Sequence, residues 1–502
     1  MAALSINNSV LRRNVIIAIC VLALIPLLAI NLFHLDLTKT SIAPTLYRSS
    51  NTTVSRLHYL IPATQATPNF CAVVASSLAN KYSIPTILGY KGEGEFDAKK
   101  AHIAKLRAIA RYLHSEAGEY KDDLVIIVDG YDVRADLPAD AMIERYFELM
   151  NKADKRLIDL YGISIEDAHA KNLRQTVMWG TDKGCFPPRL NEPQCWLLPG
   201  TPLPRYRFGP KTDNGDLPFS ESKFLNSGTV IGPLGDVRKL IDATLQFISD
   251  TWDSENKYRD SDQYYISKMY ARQEYYRTRA LHDGQFPIDV GDRELPREKK
   301  GDDDETEFHV LVDFDASFTQ TQCHNEKFMR PLKYNTPDHR AVVEEDCLEE
   351  GDAFKPYPIQ MPANVFLSLS RLYESISDDI DFKSAKDWIN TLGMGTNVGT
   401  KKIWGFYHNT CDKSHFVERY RNAWFFPFVK PMLNAASKAI KNEEPIHPRL
   451  INGRLWMAAQ KYPSDDEKEH PYGGVYTDYK AQKFIPFEEL CKANLTDVLD
   501  MN

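Results

Sequence analysis

Leu124-Val125-Ile126-Ile127-Val128-Asp129-Gly130-Tyr131-Asp132 reads as a buried strand that stops on a charged turn. Its apolar run is rich in β-branched residues, which suits a central parallel strand covered by helices on both faces. Just before it, Ile103, Leu106, Ala110 and Leu113 recur at intervals of 3, 4 and 3, one face of a helix. Further upstream, Arg56–Thr64 reads as a first buried strand, Ala72–Leu78 as the start of a helix and Pro85–Gly89 as a second strand. Downstream, Thr176–Trp179 and Phe224–Gly232 are strand-like, and Val237, Leu240, Ile241, Leu245 and Ile248 again have helical spacing. Lys402–Tyr407 returns to strand before His408. Alternating strands and helices predict an α/β domain over residues 55–430. The acidic stretches Gly301–Glu307 and Glu344–Asp352 read as solvated loops. Residues 431–502, a helical stretch with Pro-rich turns, are expected to pack on the core as an extension.

The 502 residues are 43% hydrophobic and 26% charged, an ordinary globular composition, with a formal net charge of −8. That balance argues against a nucleic-acid partner, which calls for a basic face. Val15–Phe33 is an uncharged run of about 19 residues preceded by Arg12 and Arg13. A membrane-spanning helix needs about 20 apolar residues. The positive-inside rule then predicts a cytosolic tail over 1–14, a transmembrane anchor over 15–35, a stem over 36–54 and a lumenal body. A cleaved signal peptide has a shorter apolar core of about 7–15 residues and a small-residue cleavage site. Seven cysteines lie beyond Cys20, so in an oxidising compartment at least one stays free or pairs between chains. Asn51 and Asn494 head glycosylation triplets.

Four places carry groups suited to chemistry. Asp129 and Asp132 follow the apolar strand, and ligands of open α/β sheets bind at the carboxyl ends of strands. Two carboxylates three residues apart across a tight turn reach one hard cation, which commonly bridges to substrate phosphates. Gly130 permits the turn, and Tyr131 offers a ring to a base or ribose. As a strand-end carboxylate, Asp132 is expected to be exposed and of little weight in the fold. Asn226, Ser227 and Gly228 sit on a turn where polar side chains meet sugar hydroxyls and glycine lets a ligand approach the backbone. Asp260 and Asp262 precede a helix expected over Tyr264–Tyr270; they cap it, hold an acceptor hydroxyl or act as a general base. His408 has an imidazole that completes a metal site, and Lys413 a cation for phosphate.

Taken in order, these segments resemble the glycosyltransferase domain of the multifunctional lysyl hydroxylases, together with collagen-type glycosyltransferases and fungal type II membrane transferases. The shared order is Ala63-Thr64, a helix carrying Lys105, LVIIVDGYDV, Cys185-Phe186-Pro187, KFLNSGTVIG, DSDQYY, VDFDASFTQ at 312–320 and HNTCDK at 408–413. The resemblance implies a GT-A-like mixed sheet flanked by helices, a UDP-sugar donor and Mn2+. Asp129, Asp132 and His408 match the family's metal ligands, Tyr131 and Thr64 its uridine contacts, and Lys105 a lysine near the nucleotide. Asn226, Ser227 and Gly228 match the sugar-facing turn, and Asp260 and Asp262 the acids near the transferred sugar. This chain has His408-Asn409-Thr410-Cys411 where the family has a His-Gly-Asn-Gly-like segment, and Asp313-Phe314 where it has Asp-His. No stretch resembles the hydroxylase domain. The expected function is transfer of a hexose to a protein or glycan hydroxyl by a single-pass type II protein of the Golgi or endoplasmic reticulum membrane. The alternatives are an inactive lumenal scaffold or glycan-binding module and a hydrolase of sugar nucleotides.

Overall fold

The apolar run Leu124–Val128 forms strand β3, and both of its faces are covered. Leu124, Ile126 and Val128 join one buried cluster with Leu57, Tyr59 and Met178. Val125 and Ile127 join a second with Leu60, Trp179 and Val230. Each fully buried aliphatic side chain is worth about 1.5–3 kcal/mol. A strand with apolar residues at every position therefore settles in the middle of a sheet between two helical layers.

The computed structural model describes residues 52–94, 102–282, 284–301, 303–463, 470–478 and 483–500. In chain order, the elements that frame the site begin with β1 (Thr53–Pro62), α1 (Pro68–Ala79), β2 (Thr86–Leu88), α2 (Ile103–Leu113) and β3. They continue with β4 (Val133–Ala135), α3 (Ala139–Tyr161), β5 (Val177–Asp182), β6 (Phe224–Pro233), α4 (Leu234–Thr251), α5 (Asp262–Leu281), β7 (Val310–Val312) and β8 (Thr319–Thr321). The last part holds β9 (Met329–Lys333), β10 (Arg340–Val343), β11 (Tyr357–Gln360), α6 (Ala363–Ile376), β12 (Gly393–Asn397), β13 (Lys402–Ile403) and β14 (Phe406–His408). It ends with α7 (Val429–Lys441), β15 (Arg454–Ala458), β16 (Gly474–Thr477) and β17 (Phe484–Pro486). The expected strand Lys402–Tyr407 is thus two short strands, parted at Trp404 and Gly405.

The main sheet is mixed, in the order β17-β16-β2-β1-β3-β6-β5-β7, with β15 beside the first half of β1. β3 runs parallel to β1 and antiparallel to β6, and β5 is antiparallel to β6. This mixture brings the ends of β1, β3 and β5 and the start of β6 to one edge. A second, three-stranded sheet orders β4-β14-β8, with β14 antiparallel to β4 and parallel to β8. Its register pairs His408 with Val133 and with Thr321.

Residues 431–502 differ from the expected extension. β15 pairs with β1 and β16 with β2, so the end of the chain supplies strands of the main sheet. A disulfide from Cys71 in α1 to Cys491 ties the two ends together across 420 residues. Cys185–Cys195 and Cys323–Cys411 are also bridged, and among the described residues Cys347 is the free, buried cysteine. The anchor over 15–35, the tail and nearly all of the stem lie outside the described residues. No helix among the described residues is long and apolar enough to cross a membrane. Asn51 is also outside them, and the Asn494 amide is engaged internally, donating to Ala66 O at 3.2 Å.

Candidate functional site

At the carboxyl edge of β3 the chain turns sharply. A side chain at Gly130 would place its Cβ 2.6 Å from Pro62 O and 2.8 Å from Ala63 Cβ, so only glycine fits. The turn carries Asp129 on one side and Asp132 on the other, and the chain then enters β4. Because β14 pairs with β4 in the register above, His408 arrives beside Asp132. Its Nε2 lies 3.4 Å from Asp132 Oδ2, and Asn409 N donates to Asp132 O at 2.8 Å. Asp129, Asp132 and His408 each offer a ligand atom within 4.8 Å of the others. The set can hold a divalent metal ion.

The orphaned atoms fit that use. Asp132 Oδ1 and His408 Nδ1 are buried without a hydrogen-bond partner, and Asp132 Oδ2 meets only the cationic neighbours His408 and Lys413. Asp132 is not exposed as its strand-end position suggests: it is 1% accessible, because β14 and the loop after it cover the turn. Burial disfavours its charge, but His408 and Lys413 outweigh burial and hold the carboxyl well below its usual range. Lys413 Nζ sits 2.6 Å from Asp132 Oδ2. For His408, burial works against the imidazolium, yet Asp132 and Asp129 prevail and raise its pKa. Three oxygen and nitrogen ligands suit a hard or borderline divalent cation and leave coordination positions for phosphate oxygens and water.

Lys105 projects from α2 into the same edge. Its ammonium donates to Asp129 Oδ1 at 2.6 Å and to Ser227 O at 2.8 Å, and lies 3.0 Å from Asp262 Oδ2. Burial opposes that ammonium, but the two carboxylates prevail and keep it protonated above its ordinary value. Asp262 opens α5, behind the cap residue Ser261, whose hydroxyl accepts from Tyr264 N at 3.3 Å. Burial works against the Asp262 carboxylate, while Lys105 draws its pKa down. Three carboxylates face two ammonium groups here, which leaves one net negative charge when His408 is neutral. A divalent cation reverses that sign and makes the edge attractive to a diphosphate.

Thr64, Lys105, Asp129, Tyr131, Asp132, Asp262 and Lys413 line one cleft of about 490 Å³. The Tyr131 hydroxyl accepts from Thr64 N at 2.8 Å and Gln65 N at 3.0 Å, which fixes its ring against the cleft. Residues 226–228, expected as a turn, lie inside β6, where the strand bulges against β5 and approaches the triad from behind. Gly228 O accepts from Asp129 N at 2.8 Å, and a Cβ on Gly228 would lie 2.1 Å from His408 Cε1. Asn226 braces this bulge: its side-chain carbonyl oxygen accepts from Gly228 N at 2.9 Å and its amide donates to Asp182 Oδ2 at 2.8 Å. Asn226 and Ser227 are buried. Asp260 is not among the cleft residues; its carboxylate reaches Arg259 at 3.8 Å, and its carbonyl accepts from Ile103 N at 3.2 Å.

Asp182 escapes a reading by motif. It ends β5 as Asp129 follows β3, one charge after a buried run, and that parallel is the signal for it. Its Oδ1 is buried without a partner, and burial raises its pKa against the pull of Asn226. The Asp313 carboxylate accepts from Phe318 N at 2.8 Å and Thr319 N at 2.9 Å, which ties it to the start of β8. No family model matches the chain, and no curated protein matches its sequence.

Proposed function

We propose that this chain is a glycosyltransferase of GT-A type that moves a hexose from a UDP-sugar to a protein or glycan hydroxyl, with Mn2+ as its cation. The observation that carries this reading is the convergence of Asp129, Asp132 and His408 with Lys105, Lys413 and Asp262 at one sheet edge. Asp129, Asp132 and His408 hold the cation, which when bound neutralises charge that develops on the leaving diphosphate. Lys413, on an exposed loop, turns its ammonium from Asp132 to the phosphates. Tyr131, with its hydroxyl tied to the Thr64 and Gln65 amides, presents a fixed face to the uracil, and Thr64 adds a polar contact. Asp262 orients the acceptor hydroxyl or a sugar hydroxyl, and Lys105 holds that carboxylate in place. The apolar run Val15–Phe33 supports a type II anchor over 15–35 in the Golgi or endoplasmic reticulum with a lumenal body. Three disulfides among the described residues fit an oxidising compartment.

The test is UDP release from UDP-glucose, UDP-galactose and UDP-N-acetylglucosamine with and without Mn2+ and glycan acceptors. Release that needs both cation and acceptor is expected; release to water alone would make the protein a sugar-nucleotide hydrolase. Asp132→Asn should cut turnover at least about 100-fold, as loss of a group that stabilises transition-state charge does. It should also lower stability by about 1–3 kcal/mol, since Lys413 and His408 lose a buried partner. Unchanged turnover in this variant refutes the site.

A further inference from the structure

The loop that follows His408 is fastened to the second sheet by more than backbone pairing. Gln322 N donates to His408 O at 2.9 Å, and Cys323 N donates to Thr410 Oγ1 at 2.9 Å. Just beyond, Cys323 and Cys411 are joined by a disulfide with their Cα atoms 5.5 Å apart. Asn409 Nδ2 donates to Asp412 O at 2.7 Å and closes the loop on itself. The residue two places past the disulfide is Lys413, whose ammonium reaches Asp132. His408 is held by strands on both sides, whereas residues 411–415 are exposed and have no strand to hold them. The disulfide is the covalent tie of this segment. It is also reachable: Cys411 is exposed and Cys323 half-buried, while Cys71 and Cys491 are both fully buried.

We propose that the Cys323–Cys411 disulfide is a positioning clamp that acts through Lys413, and that a dithiol reductant opens it and weakens diphosphate binding. The proposal rests on the cation-site reading above. In the opening step a thiolate of the dithiol attacks Cys411 Sγ and forms a mixed disulfide, and the Cys323 sulfur leaves as thiolate and takes up a proton. The second thiol of the reductant then displaces Cys411. Two electrons and two protons pass to the two cysteines, and the dithiol ends as a cyclic disulfide. The freed loop no longer holds the Lys413 ammonium over Asp132, so the phosphates lose one charge-assisted contact.

The experiment measures UDP affinity of the full chain at saturating Mn2+, by calorimetry, before and after dithiothreitol. Peptide mass mapping confirms that Cys323–Cys411 is open and Cys71–Cys491 intact. The expected loss is about 10- to 100-fold, the range for one hydrogen bond to a charged group, and reoxidation should restore binding. Lys413→Met should show the weaker affinity from the outset and no further response to the dithiol. A Cys323→Ser/Cys411→Ser variant should match the reduced protein. Equal UDP affinity of the oxidised and reduced chains overturns the clamp while leaving the cation site standing. So does a Lys413→Met protein that responds to reduction as the unmodified chain does. Failure of the oxidised chain to bind UDP with Mn2+ overturns the site and the clamp together.

Discussion

Lys183 shows how far a single residue is governed by its surroundings. It follows Asp182 at the end of β5, yet its side chain is turned into the core at 1% exposure. Its ammonium lies 3.7 Å from the ring centroid of Phe208 and 4.6 Å from that of Phe328, and it donates to Pro218 O. Burial, with Arg207 nearby, pushes its pKa down from 10.5 to about 7. Between those values the unfolded chain binds a proton that the folded chain does not, so this residue makes stability rise with pH from about 7 towards 10.5. Replacing Lys183 by Met should remove that rise. Thermal midpoints of both proteins across neutral to alkaline pH test it, and parallel curves would refute it. Asp132 teaches the opposite lesson: burial alone would neutralise it, and two cationic neighbours keep it charged.

At the scale of elements, the site depends on how closely β6 and β14 approach. Gly228 leaves the space that the His408 ring fills. Gly228→Ala should force the imidazole away from Asp132 and weaken divalent-cation affinity about 10- to 100-fold, the usual effect of disturbing the support of a ligand. The overpacking itself should lower stability by about 1–3 kcal/mol. A manganese titration followed by electron paramagnetic resonance, beside a denaturant melt, measures both, and unaltered affinity would show that His408 is no ligand. Much at this scale was legible in advance. β3 follows from its unbroken apolar run and α2 from its helical spacing, because their burial is set by local pattern; in β6 the polar residues 226–228, read as a turn, belong to the strand. The break between β13 and β14 did not follow, since Lys402–Tyr407 has no turn residue but Gly405, and the break is imposed by two different sheets competing for the segment.

For the whole molecule, the decisive fact is that the end of the chain completes the sheet begun at its start. β15 and β16 cover β1 and β2, and Cys71–Cys491 secures the closure. A chain ended before Ile451 would expose two buried strand edges, which are templates for aggregation. Such a protein should lose cooperative unfolding and precipitate; a soluble product with a sharp thermal transition would show that residues 451–502 are dispensable. These strands are short and polar in part, and their partners lie hundreds of residues away, so nothing local announces them.

The sequence by itself determined the central strand, the acidic turn after it and the helix that brings Lys105, because apolar pattern and turn chemistry act over a few residues. It also named His408 and Lys413, through the order of segments. Tertiary structure alone decided that His408 reaches Asp132, that Asp132 is buried, that Asn226 braces a bulge of β6 behind the triad and that Asp260 faces Arg259. It also decided that the last strands enter the first sheet. Those outcomes depend on register and pairing between distant segments, where the free energy comes from surfaces that meet only once the chain is folded.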